Sequence, residues 1–194
     1  MNGRNAKTGT AGPRMKESMV ESDSLERPRF FSSKLLRTED LALEQQYFRE
    51  KLRRHNRNLH GFGIVSGLKV TTDSGKILVD AGMALDCQGN DVVIGTAQIL
   101  SPPAGSDDWR TAHVNLRYTE DSNEPVATQG VAQDSMIQES FEIVVDRENL
   151  NRSHRHLRAR WLACGEPHGL TIAKLKHSSQ GWRVDRGYRP PTIK

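Results

Sequence analysis

Side chains of the kind that bind transition metals gather in one stretch of this 194-residue chain: His154 and His156, then Cys164 after seven residues, then His168 after three more. Zinc is held by imidazole nitrogen and thiolate sulfur, usually through paired ligands on short loops, and this spacing matches none of the common closed sites. The same stretch is rich in arginine. A short helix over residues 149–163 would set Leu150, Leu157 and Trp161 on one stripe, with Arg152, Arg155, Arg158 and Arg160 on the other face. Together with Arg147 these cations suit either the phosphates of a nucleic acid or the carboxylates of a partner protein. Aromatic groups for base stacking are scarce there, Trp161 being part of the apolar stripe. A protein partner is therefore the favoured reading, and nucleic-acid binding through residues 147–160 the alternative.

Catalytic patterns are absent from the sequence. There is no glycine-rich phosphate loop, no His-Glu-x-x-His and no Gly-x-Ser-x-Gly. Asp80 and Asp86 are the carboxylates closest to a paired arrangement, yet both adjoin turns, where aspartate commonly serves the backbone. The expectation is a non-enzymatic protein with no cofactor and no small-molecule substrate.

The elements that carry these residues follow from composition and periodicity. Hydrophobic residues make up 35% of the chain, and 28 basic against 24 acidic side chains leave a net charge of +4. This describes a mixed surface with local clusters and a modest core. The two cysteines stand far apart, no signal-peptide pattern is present, and no apolar run approaches the ~20 residues that span a bilayer. A soluble product made in a reducing compartment, with no membrane insertion, is expected.

Residues 1–26 are polar and glycine-rich and read as a flexible or partner-ordered arm. Residues 27–60 follow as a segment built around one long helix, which begins near a Thr38 N-cap followed by Glu39 and Asp40. Leu41, Phe48, Leu52, His55 and Leu59 share a stripe on it, and Lys51, Arg53, Arg54 and Arg57 crowd its last turns before a Gly61 C-cap. If Phe48 and Leu52 pack on the sheet, their truncation to alanine costs several kcal/mol.

From Gly61 the period becomes two, and residues 61–188 read as a β-rich domain of successive hairpins. Strands are predicted over Phe62–Val70, Lys76–Asp80, Gly82–Asp86, Asp91–Ile94, Thr111–Tyr118, Glu139–Val145, Leu170–Leu175 and Trp182–Val184. Residues 119–135 read as a long polar loop open to a partner. Residues 189–194 form a proline-containing tail. The fold class is thus α+β: mostly short antiparallel strands, sandwich or barrel-like, with one long N-terminal helix, a second short basic helix and extended terminal arms.

The run RPRFFSSKLLRTEDLALEQQYFREKLRRHNRNLHGFGIVSGLKV, followed by ILVDAGMALDCQGNDVVI, resembles a family of phage tail and contractile injection system proteins. The later pieces HVNLRYTEDSNEPV, QESFEIVV and LTIAKLKHSSQGWRVD are similar to the rest of that pattern in the same order, so the resemblance spans residues 27–188. Ser66 and Met83 depart from the residues usual at their positions. The resemblance implies a structural component at or near a baseplate, assembled in the bacterial cytoplasm into a virion or an injection particle. Baseplate, tail or fibre proteins are then its partners, docked through Phe48, Leu52, Arg53, Arg54, Arg57, His60, Arg152, Arg155 and Arg158. Relatives often carry Cys and His at Cys164 and His168, which makes those two the pair to inspect for metal.

Overall fold

The computed structural model describes residues 25–103, 108–128, 131–152 and 169–193. Most of the stretch expected to be a polar arm (residues 1–24) and nearly all of that expected to form a second, basic helix, with Arg155, Arg158, Cys164 and His168, lie outside the described residues.

Among the described residues one helix, α1 (Thr38–His55), precedes ten strands. Its N-cap is Arg37, in extended conformation, one residue earlier than the Thr38 expected from the sequence. Asp40 explains the shift: its carboxylate accepts the Arg37 backbone N–H at 3.2 Å and the Lys34 ammonium at 2.8 Å. Those two donors, the lysine first, hold its pKa below the usual carboxylate value. The helix ends in a π-helical turn, Asn56–His60, closed by the Gly61 N–H on the Asn56 carbonyl at 3.0 Å. Gly61 takes φ of 78°, so the expected glycine C-cap is in place.

The strands are β1 (Gly63–Gly67), β2 (Val70–Asp73), β3 (Lys76–Val79), β4 (Gly82–Leu85), β5 (Asp91–Ile94), β6 (Gln98–Leu100), β7 (Thr111–Thr128), β8 (Val131–Asp146), β9 (Leu170–Ser178) and β10 (Gly181–Val184). They form three sheets, ordered β1-β4-β5, β2-β3-β6 and β10-β9-β7-β8, and all strand pairs within them are antiparallel. One core joins them: Leu68, Ile77, Val79, Ile94, Val114, Leu116, Leu170 and Leu175 are almost fully buried. Mostly antiparallel strands with one long helix make this an α+β fold.

Three expectations from sequence need correction. The run Phe62–Val70 is two strands, because Gly67 and Leu68 both have positive φ (63° and 54°) and turn the chain from one sheet into the next. The hairpins are therefore interleaved: β1 pairs with β4 and β3 with β6, while only β2-β3, β4-β5, β7-β8 and β9-β10 join neighbours in sequence. Residues 119–135 belong largely to β7 and β8, whose cross-strand register runs from His113 opposite Asp146 to Thr128 opposite Val131. The segment is polar because it projects as a two-stranded ribbon past the end of β9's pairing at Leu116, and not because it is a loop.

Behind β7 a polar network fastens the next segment. Asn115 donates to the Asp146 carboxylate at 2.8 Å and to the Glu148 carbonyl at 3.0 Å, while accepting the Thr171 hydroxyl at 2.6 Å. Thr171 in turn accepts the Leu150 N–H at 2.9 Å. At the other end of the chain, the tail lies alongside β1 through the bonds Ile64 N–H to Pro191 and Ile193 N–H to Ile64, both 2.9 Å. It forms a single parallel bridge there, Ile64 to Thr192, in keeping with the proline content that forbids a longer ladder.

Candidate functional site

The helix α1 is mounted with its apolar stripe outward. Its half-buried residues are Asp40, Glu44, Tyr47, Glu50, Arg53 and Arg54, a charged face, and no residue of the helix is fully buried. At 3.6 residues per turn, Leu41, Phe48 and Leu52 lie on the opposite side. Phe48 is 57% exposed and Leu52 54% exposed, so neither packs on the sheet. The condition under which their truncation would destabilise the fold by several kcal/mol is not met. Leu59 continues the exposed stripe through the π-helical turn, and Phe30, Phe31, Leu35 and Leu36 extend the apolar surface ahead of the helix. Amphipathic surface helices normally bury such a stripe. Large apolar side chains left exposed together in this number are uncommon on a protein surface.

The cause of the inversion is a set of long-range bonds from the end of α1 to the β4-β5 turn. Arg53 Nε donates to Asn90 Oδ1 at 2.6 Å, Asn56 Nδ2 to the Gly89 carbonyl at 2.8 Å, and Arg57 Nη1 to the Gln88 carbonyl at 2.9 Å. The remaining Arg53 nitrogens face Glu50 at 3.2 Å and Glu120 at 3.6 Å. Glu120 also accepts the Tyr118 hydroxyl at 2.9 Å and lies 3.7 Å from Arg49, which ties the root of the β7-β8 hairpin to the same helix. The planar fork of arginine suits such three-way contacts in a way lysine does not.

The turn is rigid enough to receive these donors because Asp86 organises it from beneath. One carboxylate oxygen accepts the Gln88 and Asn90 N–H groups at 2.8 and 2.9 Å, and the other accepts Asn90 Nδ2 at 2.8 Å. Burial pushes the Asp86 pKa up, against those hydrogen bonds, which pull it down. Both oxygens are thus engaged by the turn, and Asp80 is an exposed residue whose N–H bonds the Lys69 carbonyl. Neither is arranged as an acid-base pair.

Gly89 seals the latch. With φ of 90°, its position would bring a Cβ to 2.3 Å from the Arg53 carbonyl oxygen. Gly89→Val is expected to push the end of α1 off the turn, at a cost of about 2 kcal/mol from backbone strain and overlap. Limited proteolysis should then cut between residues 56 and 62 well before the strands open. Equal protease resistance of variant and parent would mean that the latch does not hold the helix.

Of the residues singled out in the sequence, Arg53 and Arg57 are drawn into this latch, Phe48 and Leu52 face outward, and His60 is exposed with its ring 5.3 Å from that of His55. Arg152 is exposed at the end of a single helical turn over residues 150–152, and its companions Arg155 and Arg158 lie outside the described residues. Among the described residues no group of three His, Cys, Asp or Glu side chains is placed to hold a metal ion, and no helix is long and apolar enough to cross a membrane. Sequence reasoning missed Asn56, Gly89, Asn90 and Glu120. The motifs HNR and DCQGN contain three of them, but nothing local in either stretch announces that they meet.

No family model matches the chain, and no curated protein does. Its fold is similar to solved structures of type VI secretion proteins. One is the TssK-TssF-TssG baseplate subcomplex seen by cryo-electron microscopy, at 13% identity and a TM-score of 0.51, covering 87% of this chain and 62% of that one. Another is the crystal structure of TssK, at 15% identity and 0.51, covering 87% of this chain and 42% of that one. A third is the baseplate complex from the type VI secretion system, at 11% identity and 0.54, with the same coverages of 87% and 42%. This chain therefore spans about half the length of the structures it matches. At these identities the likeness is one of fold alone.

Proposed function

We propose that this protein is a non-enzymatic structural subunit at or near the baseplate of a contractile injection system, and that α1 is the element through which it docks on neighbouring subunits. The observation that carries the reading is the outward apolar stripe of Leu41, Phe48, Leu52 and Leu59 on a helix whose charged face is latched to the sheet. A stripe held away from the core gains its burial from another molecule. Two independent supports agree with it: the sequence resemblance over residues 27–188 and the fold likeness to type VI secretion baseplate proteins. Phage tails and type VI systems are both contractile machines, and the fold likeness favours an injection system over a virion. His60, exposed at the end of the same segment, is assigned to the polar rim of the contact, and the cations Arg152, Arg155 and Arg158, the last two beyond the described residues, to acidic surfaces of further subunits. Fibre attachment is a variant of the same role.

The test is recovery of partners from the native cell with the tagged protein, comparing the parent with Phe48→Asp combined with Leu52→Asp. Both positions are exposed, so the double variant is expected to keep its melting temperature within a few degrees. Baseplate proteins should be retained by the parent and reduced at least tenfold with the variant. Undiminished recovery would remove α1 from the docking role.

A further inference from the structure

The outer part of the β7-β8 hairpin is a second unpartnered element, and its chemistry is the complement of α1. From Glu120 opposite Glu139 to Ala127 opposite Ala132, the two strands pair only with each other, because β9 accompanies β7 no further than Leu116. A two-stranded ribbon in water is marginal without a further surface to cover it. Val126, Met136 and Ile137 are 51%, 52% and 60% exposed on this ribbon. Between Tyr118 and Asp146 the chain has no Lys or Arg, while Glu120, Asp121, Glu124, Asp134 and Glu139 all fall on the ribbon. Since the whole chain carries +4, setting these five carboxylates aside leaves the remainder with a net charge of +9.

We propose that the hairpin of one copy docks on the outward face of α1 in a second copy. The inference rests on the reading of α1 as a docking helix and names one of its partners as the chain itself. Edge-to-edge pairing of two hairpins would set like charges against each other, which disfavours the alternative symmetric contact. The helix instead presents apolar Phe48 and Leu52 bordered by Arg49 and Lys51, one on each side at 100° per residue. The same pairing chemistry already occurs within one chain at the root of the hairpin, where Glu120 stands 3.7 Å from Arg49 and 3.6 Å from Arg53. Beyond that root the strand from Glu120 to Ala127 extends by roughly 23 Å, at about 3.3 Å per residue. The contact joins two different surfaces of the molecule, so it is head to tail and closes into a ring or continues as a chain of copies.

Sedimentation velocity on the purified full-length protein provides the test. Self-association that rises with concentration and weakens at high salt is expected, because the paired charges are solvent-accessible. Reversal of the hairpin (Glu124→Lys with Asp134→Lys) or of the helix borders (Arg49→Glu with Lys51→Glu) should each leave a folded monomer. Surface pairs such as Arg49 with Glu120 contribute little to folding, and circular dichroism of each variant checks that. An equimolar mixture of the two reversed proteins should associate again. A parent that stays monomeric at low salt and high concentration, or association that survives both reversals, would overturn the proposal. If that monomeric parent still recovers baseplate proteins through Phe48 and Leu52, the docking role of α1 stands and only its self-partner is lost.

Discussion

Gly82→Ala is expected to prevent cooperative folding, or to lower stability by about 4 kcal/mol or more, which is a large part of what a domain of this size has. The added methyl would lie 2.3 Å from the Ser66 carbonyl oxygen, 2.5 Å from the Leu68 nitrogen and 2.9 Å from the Gly67 carbonyl carbon. All three are backbone atoms, so no side chain can swing aside to make room. They also belong to the corner at which the chain leaves one sheet for another. There Gly67 and Leu68 turn with positive φ, the Leu68 N–H bonds the Ala81 carbonyl at 3.2 Å, and the Asp80 N–H bonds the Lys69 carbonyl at 2.9 Å. Leu68, only 1% exposed, is delivered to the core by this turn. Moving β4 away from Gly67 would therefore withdraw a core side chain as well as two cross-corner hydrogen bonds. Gly95→Ala is the control: its Cβ would meet nothing within 4 Å, and its effect should stay within about 0.5 kcal/mol. Urea denaturation of both variants measures the difference. A Gly82→Ala protein as stable as the Gly95→Ala control would mean that the corner adapts and that the close approach is not required.

Much of this architecture could be read from residue order, and the failures share a cause. Lys76–Val79, Gly82–Leu85 and Asp91–Ile94 were legible because apolar alternation is bracketed by Ser-Gly and Gly-Asn turn residues, which are local signals. The helix was legible from its stripe, its acidic first turn and Gly61. Its orientation was not, since the usual rule sends the apolar stripe inward, and here bonds between residues 31 to 37 positions apart send it outward. The break at Gly67 and Leu68 was hidden because a left-handed Leu leaves no mark in a run of alternating residues. Residues 119–135 looked like a loop because strand preference depends on cross-strand neighbours, which a polar sequence containing Pro125 does not reveal. What was missed in each case is a contact between distant segments.

Thr171→Val tests the other non-local feature, the polar layer behind β7, and is expected to cost about 3 kcal/mol despite the near-identical shape of the two side chains. Thr171 and Asn115 are both fully buried at 0% exposure. The valine deletes the hydroxyl that donates to Asn115 Oδ1 at 2.6 Å and accepts the Leu150 N–H at 2.9 Å, and so removes one bond from a buried acceptor and one from a buried donor. Each such group carries a desolvation penalty of roughly 1–3 kcal/mol. Asn151 limits the damage, because it bonds the Thr171 backbone on both sides, N–H to Asn151 Oδ1 at 3.0 Å and Asn151 Nδ2 to the carbonyl at 2.8 Å. The segment 146–151 should therefore loosen at Leu150 before it detaches at Asn151. Hydrogen exchange separates these: the Leu150 amide should lose protection by a larger factor than the Thr171 amide. Thr171→Val combined with Asn115→Ala should cost clearly less than the sum of the two single changes, since both remove the same bond. Additive costs, or an unprotected Thr171 amide with Leu150 unchanged, would mean that the two residues do not act as one network. In that case the segment leading into residues 153–168 would owe its position to Asn151 and Tyr188, whose side chains meet at 2.8 Å.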